Sequence, residues 1–141
     1  MRTKILSLTL LLLLGACEKD LVKDDGASLA EGTEKAEILD EIPQAFRGRW
    51  TLGDGTCRAE QSEGYLDVTA RELAYWESSG IPKLIQQVEP NIILLNIDMS
   101  GEGDVWSSLS AFHVTHHGTR MTRQDADFDQ LVHYRKCQKQ E

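Results

Sequence analysis

From residue 42 to the end of the chain, apolar residues occur in short runs that are separated by Gly, Pro, Asp and Asn. Runs of this length between turn-forming residues predict β-strands rather than helices. About 100 residues support one hydrophobic core, so the sequence predicts a single all-β domain over residues 42–141. We expect a small antiparallel up-and-down β-barrel or a sandwich. Its eight strands are predicted at 46–52, 64–69, 71–77, 82–89, 91–98, 104–116, 118–123 and 131–137.

The segment that precedes this domain has a different composition. Between Cys17 and Ala45 there are no aromatic residues, and nine acidic residues face three lysines. Low hydrophobicity combined with charge of one sign predicts a segment that does not bury enough surface to fold. We therefore expect residues 17–41 to form a flexible acidic tether. A short, frayed helix over residues 29–41 is the alternative.

The first residues of the chain have the order of a secretory signal peptide. Two basic residues precede an apolar run over residues 5–14, and Gly and Ala follow that run. As a helix the run spans about 15 Å, whereas the hydrocarbon core of a membrane is roughly 30 Å thick. The pattern predicts a cleaved signal peptide over residues 1–16 and not a spanning helix.

Leu14-Gly15-Ala16-Cys17 resembles the bacterial lipobox, in which the cysteine is acylated and becomes the first residue of the mature chain. The resemblance implies that Cys17 is lipidated and that the protein is held at a membrane of the bacterial envelope. Two or more acyl chains on one residue give stable anchoring. An ordinary signal peptide that leaves a cysteine is the alternative. Because enteric lipoproteins retained at the inner membrane carry Asp where Glu18 stands here, we expect the outer membrane, facing the periplasm.

Cys57 and Cys137 are the two cysteines that remain after lipidation. In an exported chain an even pair predicts one disulfide. The bridge would close a loop of about 80 residues, which the chain-entropy model values at roughly 4 to 5 kcal/mol. Free thiols or a metal pair are the alternative, and the spacing of the two cysteines argues against a metal site.

The charge of the chain restricts its partners. The formal net charge is −8, and removal of residues 1–16 takes away two positive charges and no negative one, which leaves −10. Binding to a nucleic-acid backbone needs clustered Lys and Arg, so we predict no nucleic-acid partner. An acidic surface is also repelled by anionic headgroups, so we expect the lipid to supply the membrane affinity.

Gly48-Arg49-Trp50, at the start of the first predicted strand, resembles the Gly-x-Trp signature of lipocalin-like (calycin) barrels. In that family the tryptophan closes one end of the barrel beneath an arginine from the last strand. The resemblance implies that Gly48, Trp50 and Arg135 take part in barrel closure, with the guanidinium over the indole ring. Such a contact is worth about 0.5 to 2 kcal/mol.

Four segments of the chain resemble uncharacterised small exported lipoproteins of proteobacteria. This likeness implies the fold and the location of the protein and no activity. A looser likeness connects the chain to small barrels that bacteria export as inhibitors of proteases or lysozyme. The four segments lie at 42–50, 77–80, 101–106 and 134–137.

Trp76, Glu77 and Trp106 are candidate residues for binding a protein partner. Trp76 and Tyr75 are consecutive, so they point to opposite faces of a strand and one of them faces outward unless both faces are covered. An exposed aromatic ring beside an acidic residue is a typical anchor in an interface. The alternative is that both tryptophans belong to the core.

Two patterns suggest metal ligands, and neither is complete. On a helix, His113, His116 and His117 would converge, but on a strand His116 points away from the other two. The acidic residues between 98 and 104 match the first half of a calcium loop, yet Leu109 stands where the closing glutamate is needed. We predict no metal and no cofactor, with a weak, irregular calcium site as the alternative.

Motifs of nucleophilic catalysis, such as Gly-x-Ser-x-Gly or His-Glu-x-x-His, do not occur in the sequence. We therefore predict no catalytic residues and no enzymatic activity. The expected function is that of a membrane-anchored periplasmic lipoprotein that binds a protein partner or a small apolar ligand. The alternatives are an exported inhibitor of a hydrolase and an envelope hydrolase or metal-dependent enzyme.

Overall fold

A computed structural model describes residues 35–58 and 63–138. The predicted signal peptide, Cys17 and most of the predicted tether lie outside these residues. No helix in the described ranges is long and apolar enough to cross a membrane. The described elements are β1 (Glu37–Leu39), a 3-10 turn (Gln44–Phe46), β2 (Gly48–Leu52), β3 (Tyr65–Val68), β4 (Leu73–Tyr75), β5 (Ser78–Glu89), β6 (Ile92–Gly101), β7 (Asp104–Thr115), a second 3-10 turn (His116–Gly118), β8 (Arg120–Asp125) and β9 (Leu131–Lys136).

The strands β2 to β9 form a closed antiparallel barrel. Each strand pairs with the next one along the chain, and β9 pairs with β2 to close the circle. The predicted all-β, up-and-down barrel of about eight strands is therefore confirmed, and the sandwich alternative is not adopted. All eight predicted strands are present, with boundaries shifted by a few residues. Closure leaves the barrel without a free edge along its length, which protects it from pairing with other chains.

β1 is an additional strand outside the closed circle. It pairs with β5, so that Glu37 lies opposite Gln87 and Leu39 lies opposite Ile85. Glu37–Leu39 thus form a strand where the sequence predicted the end of the tether or, as the alternative, of a helix over residues 29–41, and the part of the tether up to residue 34 lies outside the described residues. Leu39 packs against the core of the barrel. Backbone pairing with β5 supplies the stabilisation that the polar sequence of this segment does not provide through burial. The folded part of the chain thus begins before residue 42.

The interior of the barrel follows the two-residue alternation of its strands. On β6, for example, Ile93, Leu95, Ile97 and Met99 are buried, whereas the residues between them are partly or fully exposed. The same alternation on the other strands produces one continuous core. Its remaining members are Ile42, Phe46, Trp50, Leu66, Val68, Leu73, Ile85, Phe112, Val114, Met121 and Tyr134.

The two ends of the barrel differ. At one end the segment that leads into β2 covers the opening, because Ile42 and Phe46 are completely buried there. The Ile42 N–H donates to the carbonyl of Ala70, and the Trp50 indole N–H donates to the carbonyl of Phe46 at 2.9 Å. We call this the closed end. The opposite end, formed by the β4–β5, β6–β7 and β8–β9 turns, is called the mouth.

The predicted disulfide between Cys57 and Cys137 is present. The loop after β2 runs back along the outside of β2 and β9, where the Gly53 N–H donates to the carbonyl of His133. This loop covers the outward-facing Thr51, which is fully buried and donates to the carbonyl of Thr56. The disulfide therefore fastens a loop that shields the seam between the first and last barrel strands.

The cation over Trp50 is Lys136 and not Arg135. In the β2–β9 pairing Trp50 lies opposite Lys136, and the Lys136 Nζ atom is 4.9 Å from the centre of the indole ring. Arg135 lies opposite Thr51 and so points to the other face, where it donates to the carbonyl of Gly55 at 2.8 Å. The predicted contact between Arg135 and Trp50 is therefore wrong, and the residue over the ring is the next one along the chain. Burial lowers the pKa of Lys136.

Candidate functional site

The inner wall of the barrel becomes polar near the mouth. On β8, Met121 points into the core, and two-residue alternation brings Arg123 and Asp125 onto the same inward face. Across the sheet these two residues lie opposite Phe112 and Ser110 of β7. The sequence of β8 therefore places a charged pair directly above the apolar core.

Arg123, Asp125, Ser110 and Ser108 form a continuous hydrogen-bonded network. Arg123 Nη2 lies 2.8 Å from Asp125 Oδ2, and the Ser110 hydroxyl donates to Asp125 Oδ1 at 2.5 Å. Ser108 Oγ lies 3.1 Å from Ser110 Oγ. Because the proton of Ser110 goes to the carboxylate, Ser108 is the donor in this last contact. The lone pairs of Ser108 that remain can accept a hydrogen bond from a ligand.

Two tyrosines enclose the guanidinium of Arg123. Its central carbon is 5.3 Å from the centre of the Tyr75 ring, and Arg123 Nη1 donates to the Tyr134 hydroxyl at 3.5 Å. Burial raises the pKa of Tyr75 to about 12, although the charge of Arg123 acts in the opposite direction. Burial likewise raises the pKa of Tyr134. Both phenols are therefore protonated at neutral pH.

Arg123 itself stays charged. Burial acts to lower its pKa, but the neighbouring tyrosines and Asp125 outweigh burial and raise the pKa of Arg123 above its ordinary value. The Arg123 Nε atom is buried and has no hydrogen-bond partner. Such an unsatisfied group is rare inside a protein and calls for an explanation such as a functional role. The side chains of Arg123 and Asp125 are 20% and 17% exposed, so the pair is shielded but not sealed.

A cavity of about 290 Å³ opens above this network. Trp106 lies opposite Met99 and therefore shares the inward side of β7 with Ser108 and Ser110. The pairing of β7 with β8 ends at Ser110, so the β6–β7 hairpin rises past β8 and carries Trp106 above the mouth. The Trp106 side chain is 45% exposed, and Phe128, which also lines the cavity, is 67% exposed. The cavity thus combines a polar floor with an aromatic rim.

The predicted partner-binding residues Trp76, Glu77 and Trp106 are all exposed. The alternative that both tryptophans belong to the core is wrong. Trp76 is 42% exposed in the β4–β5 turn, and its ring meets the Tyr65 ring edge-on at 6.3 Å. Trp106 lines the cavity, whereas Trp76 and Glu77 lie in an adjoining depression that shares Tyr75 and Ser78 with it. Their partner-binding role stays a prediction.

The histidines and the acidic residues considered as metal ligands do not converge. His113 contacts the side-chain nitrogen of Asn91, and His116 contacts the hydroxyl of Thr115. Residues 98–104 form two regular strands and a two-residue turn, and Asp98 forms an ion pair with Lys83 on the outer face. Within residues 35–58 and 63–138 no group of three His, Cys, Asp or Glu side chains is arranged to hold a metal ion.

A larger groove of about 720 Å³ lies outside the barrel near the closed end, and several basic residues line it. Three of the four basic side chains that line it already contact a partner within the described residues. Arg49 forms a bidentate pair with Asp67 at 2.9 and 2.5 Å, Arg47 pairs with Glu41, and Lys136 lies over Trp50. This groove is therefore a weaker candidate than the mouth.

Arg123, Asp125, Ser110 and Tyr75 were not identified from the sequence. A signal was available on β8, because Arg123 follows Met121 by two residues and an arginine on the same face as a core residue is unusual. The partners could not be found in this way, since they come from β4 and β7 and only the register of the sheet brings them together.

Comparisons with known proteins give no relative from which a role could be transferred. The chain matches no family model, no curated protein and no solved structure.

Proposed function

We propose that the protein is a lipid-anchored binding protein of the bacterial envelope that holds a small ligand at the mouth of its barrel without transforming it. The observation that carries the proposal is the juxtaposition of the shielded Arg123–Asp125 pair with the exposed rings of Trp106 and Phe128. Ligand sites are typically concave and combine an apolar lining with a few convergent polar groups.

The aromatic rim supports a binding role because exposed rings are costly. Trp106 and Phe128 place large apolar surfaces in water, and clustered exposure of this kind marks interaction sites on soluble domains. The polar floor supports it for a second reason. A ligand that carries a hydrogen-bond donor can bind the lone pairs of Ser108 that the chain leaves open.

The chemistry of the floor favours binding over catalysis. A serine nucleophile needs a general base to remove its proton, and histidine is the usual one. Ser110 instead donates to Asp125, and the carboxylate of Asp125 is itself paired with Arg123. None of the described residues around the cavity is a histidine.

The lipid anchor rests on the Leu14-to-Cys17 motif. The described chain leaves the mouth accessible, because β1 and the segment leading into β2 approach the barrel at the closed end.

The lipid anchor can be tested with the variant Cys17→Ser, which should abolish labelling by fatty acid and release the protein from membranes. Persistent membrane attachment of this variant would contradict the lipid anchor.

The binding proposal can be tested with the intact mature protein. Native mass spectrometry after incubation with a small-molecule extract of the envelope should reveal a bound species. Trp106→Ala should abolish the bound species, because the substitution removes the largest aromatic ring that lines the cavity. Val105→Ala is the control, since Val105 is exposed on the same strand as Trp106 but does not line this cavity. Equal binding by both variants, or no bound species at all, would contradict the proposal.

A further inference from the structure

We infer that the ligand of the mouth is an uncharged, hydroxyl-rich ring with one apolar face, which is the chemistry of a neutral sugar. This inference rests on the binding role proposed above and specifies the class of molecule. Four properties of the cavity support the inference: its charge, its hydrogen-bonding groups, its aromatic rim and its size.

The charges around the cavity disfavour an anionic ligand, and its hydrogen-bonding groups disfavour a cationic one. Arg123 is the single basic residue among the described residues that line it, and both Asp125 and Asp127 line it as well. Arg123 is already paired with Asp125, so an anion would enter a region of net negative charge. A cationic ammonium group carries donors only and would leave the donors of Arg123 without a new acceptor. A neutral ligand avoids both costs.

The floor of the cavity offers donors and acceptors side by side. The guanidinium of Arg123 donates, and the Tyr75 phenol, which stays protonated because burial raises its pKa to about 12, has a hydroxyl proton to donate. Ser108 accepts through its free lone pairs, and Asp125 accepts through its carboxylate. A hydroxyl group is both donor and acceptor, so neighbouring hydroxyls on a ring match such a mixed surface better than a group with only one capacity.

The rim supplies the apolar counterpart. Trp106 and Phe128 present exposed rings, and Met99 and Ile97 line the wall between rim and core. One face of a sugar ring consists of C–H groups, and this face can cover an aromatic ring while the hydroxyls at the edge reach the floor. Aromatic residues that bury such area supply most of the energy in a small site.

The size of the cavity limits the ligand to a single ring. A volume of about 290 Å³ lies at the lower end of the range for small-molecule sites, roughly 300 to 1,000 Å³. Below it the interior is filled by the core, since Ile97, Met99 and Phe112 are buried. A long acyl chain therefore has no channel to enter. One ring of an oligosaccharide fits, with the rest of the molecule outside the mouth.

The test is a calorimetric titration of the intact mature protein with a panel of neutral disaccharides (maltose, cellobiose and chitobiose), a uronic-acid disaccharide and dodecanoate. We expect at least one neutral disaccharide to bind, and its uronic-acid counterpart to bind at least tenfold more weakly. Trp106→Ala should weaken binding at least tenfold and Ser108→Ala about fivefold, whereas the control Val105→Ala should bind as the unchanged protein does. Circular dichroism and the melting temperature verify that each variant is folded.

The possible failures are distinguishable. Binding of dodecanoate or of the uronic-acid disaccharide in preference to every neutral one, with loss in Trp106→Ala, would overturn the sugar assignment and leave the proposed binding function intact. The same holds if no member of the panel binds while a component of the envelope extract binds in a Trp106-dependent manner. Sugar binding that Trp106→Ala does not reduce would overturn both the assignment and the proposed site.

Discussion

Removal of the Asp125 carboxylate should destabilise the barrel strongly. In Asp125→Ala the guanidinium of Arg123 loses its counter-ion and Ser110 loses its acceptor. Breaking a buried ion pair by removing one partner costs about 3 to 5 kcal/mol, because an uncompensated charge is left behind. The two side chains are about one-fifth exposed, which lets water solvate the remaining charge in part. We therefore expect a loss of about 3 kcal/mol.

Urea denaturation followed by tryptophan fluorescence measures this loss. For a domain of this size an m-value of about 1 to 1.5 kcal/mol/M converts 3 kcal/mol into a lowering of the midpoint by about 2 to 3 M. Arg123→Met should cost a similar amount, since it leaves Asp125 unpaired. The double variant should cost clearly less than the sum of the two, with a coupling energy of about 2 kcal/mol.

A matched control is available on the surface of the same barrel. Asp98 pairs with Lys83 at 3.1 Å, and both side chains are more than half exposed. Because exposed ion pairs contribute little, Asp98→Ala should change the free energy of unfolding by less than about 1 kcal/mol. The reasoning is refuted if Asp125→Ala costs no more than Asp98→Ala, or if the effects at Arg123 and Asp125 are additive.

Three further predictions follow from the contacts described above. Burial raises the pKa of Tyr75 to about 12, so the contribution of Tyr75 to stability is complete below pH 10 and is lost as the pH rises towards 12. Urea titrations at pH 10 and pH 12 measure the fall in the free energy of unfolding over this interval. That fall should be smaller in Tyr75→Phe than in the unchanged protein, by up to about 2.7 kcal/mol. Reduction of the disulfide, which closes a loop of 80 residues, should lower the calorimetric melting temperature by more than about ten degrees; an equal melting temperature with and without reductant would contradict this. In double-mutant cycles with Trp50→Phe, Lys136→Ala should show coupling of about 0.5 to 1 kcal/mol and Arg135→Ala none, because only Lys136 lies over the indole ring.

The barrel could be predicted because each of its strands has a local sequence pattern. The run from residue 91 to 98, for example, became the centre of β6, and its alternate side chains entered the core as two-residue alternation requires. An up-and-down barrel, one of the two predicted architectures, also implies that its first and last strands pair. β1 could not be predicted, because three residues with only Leu39 against the core form a strand through pairing with β5. That is a tertiary effect, and the composition of the segment gives no sign of it.

The register between the two closing strands decides which residue lies over Trp50, and the sequence analysis assigned this residue wrongly. A choice between Arg135 and Lys136 as the residue over Trp50 depends on which of two consecutive residues points inward. The buried Tyr134 shares its face with Lys136, and this alternation would have indicated the correct residue. The site at the mouth has no such local signal for its partners. Tyr75, Ser110 and Arg123 lie on three different strands and meet only when the barrel is closed.

Closure by the first and last strands also has a consequence for how the chain reaches its folded state. Until β9 has paired, β2 and β8 each present a row of unsatisfied backbone groups to which another chain can add. The pairing that removes this hazard spans most of the domain, and contacts so distant in sequence form late and slowly. The disulfide joins a residue beside β2 to the residue directly after β9. In an oxidised chain the two strands that meet last are thus neighbours from the start, and the interval during which the barrel is open to aggregation becomes shorter.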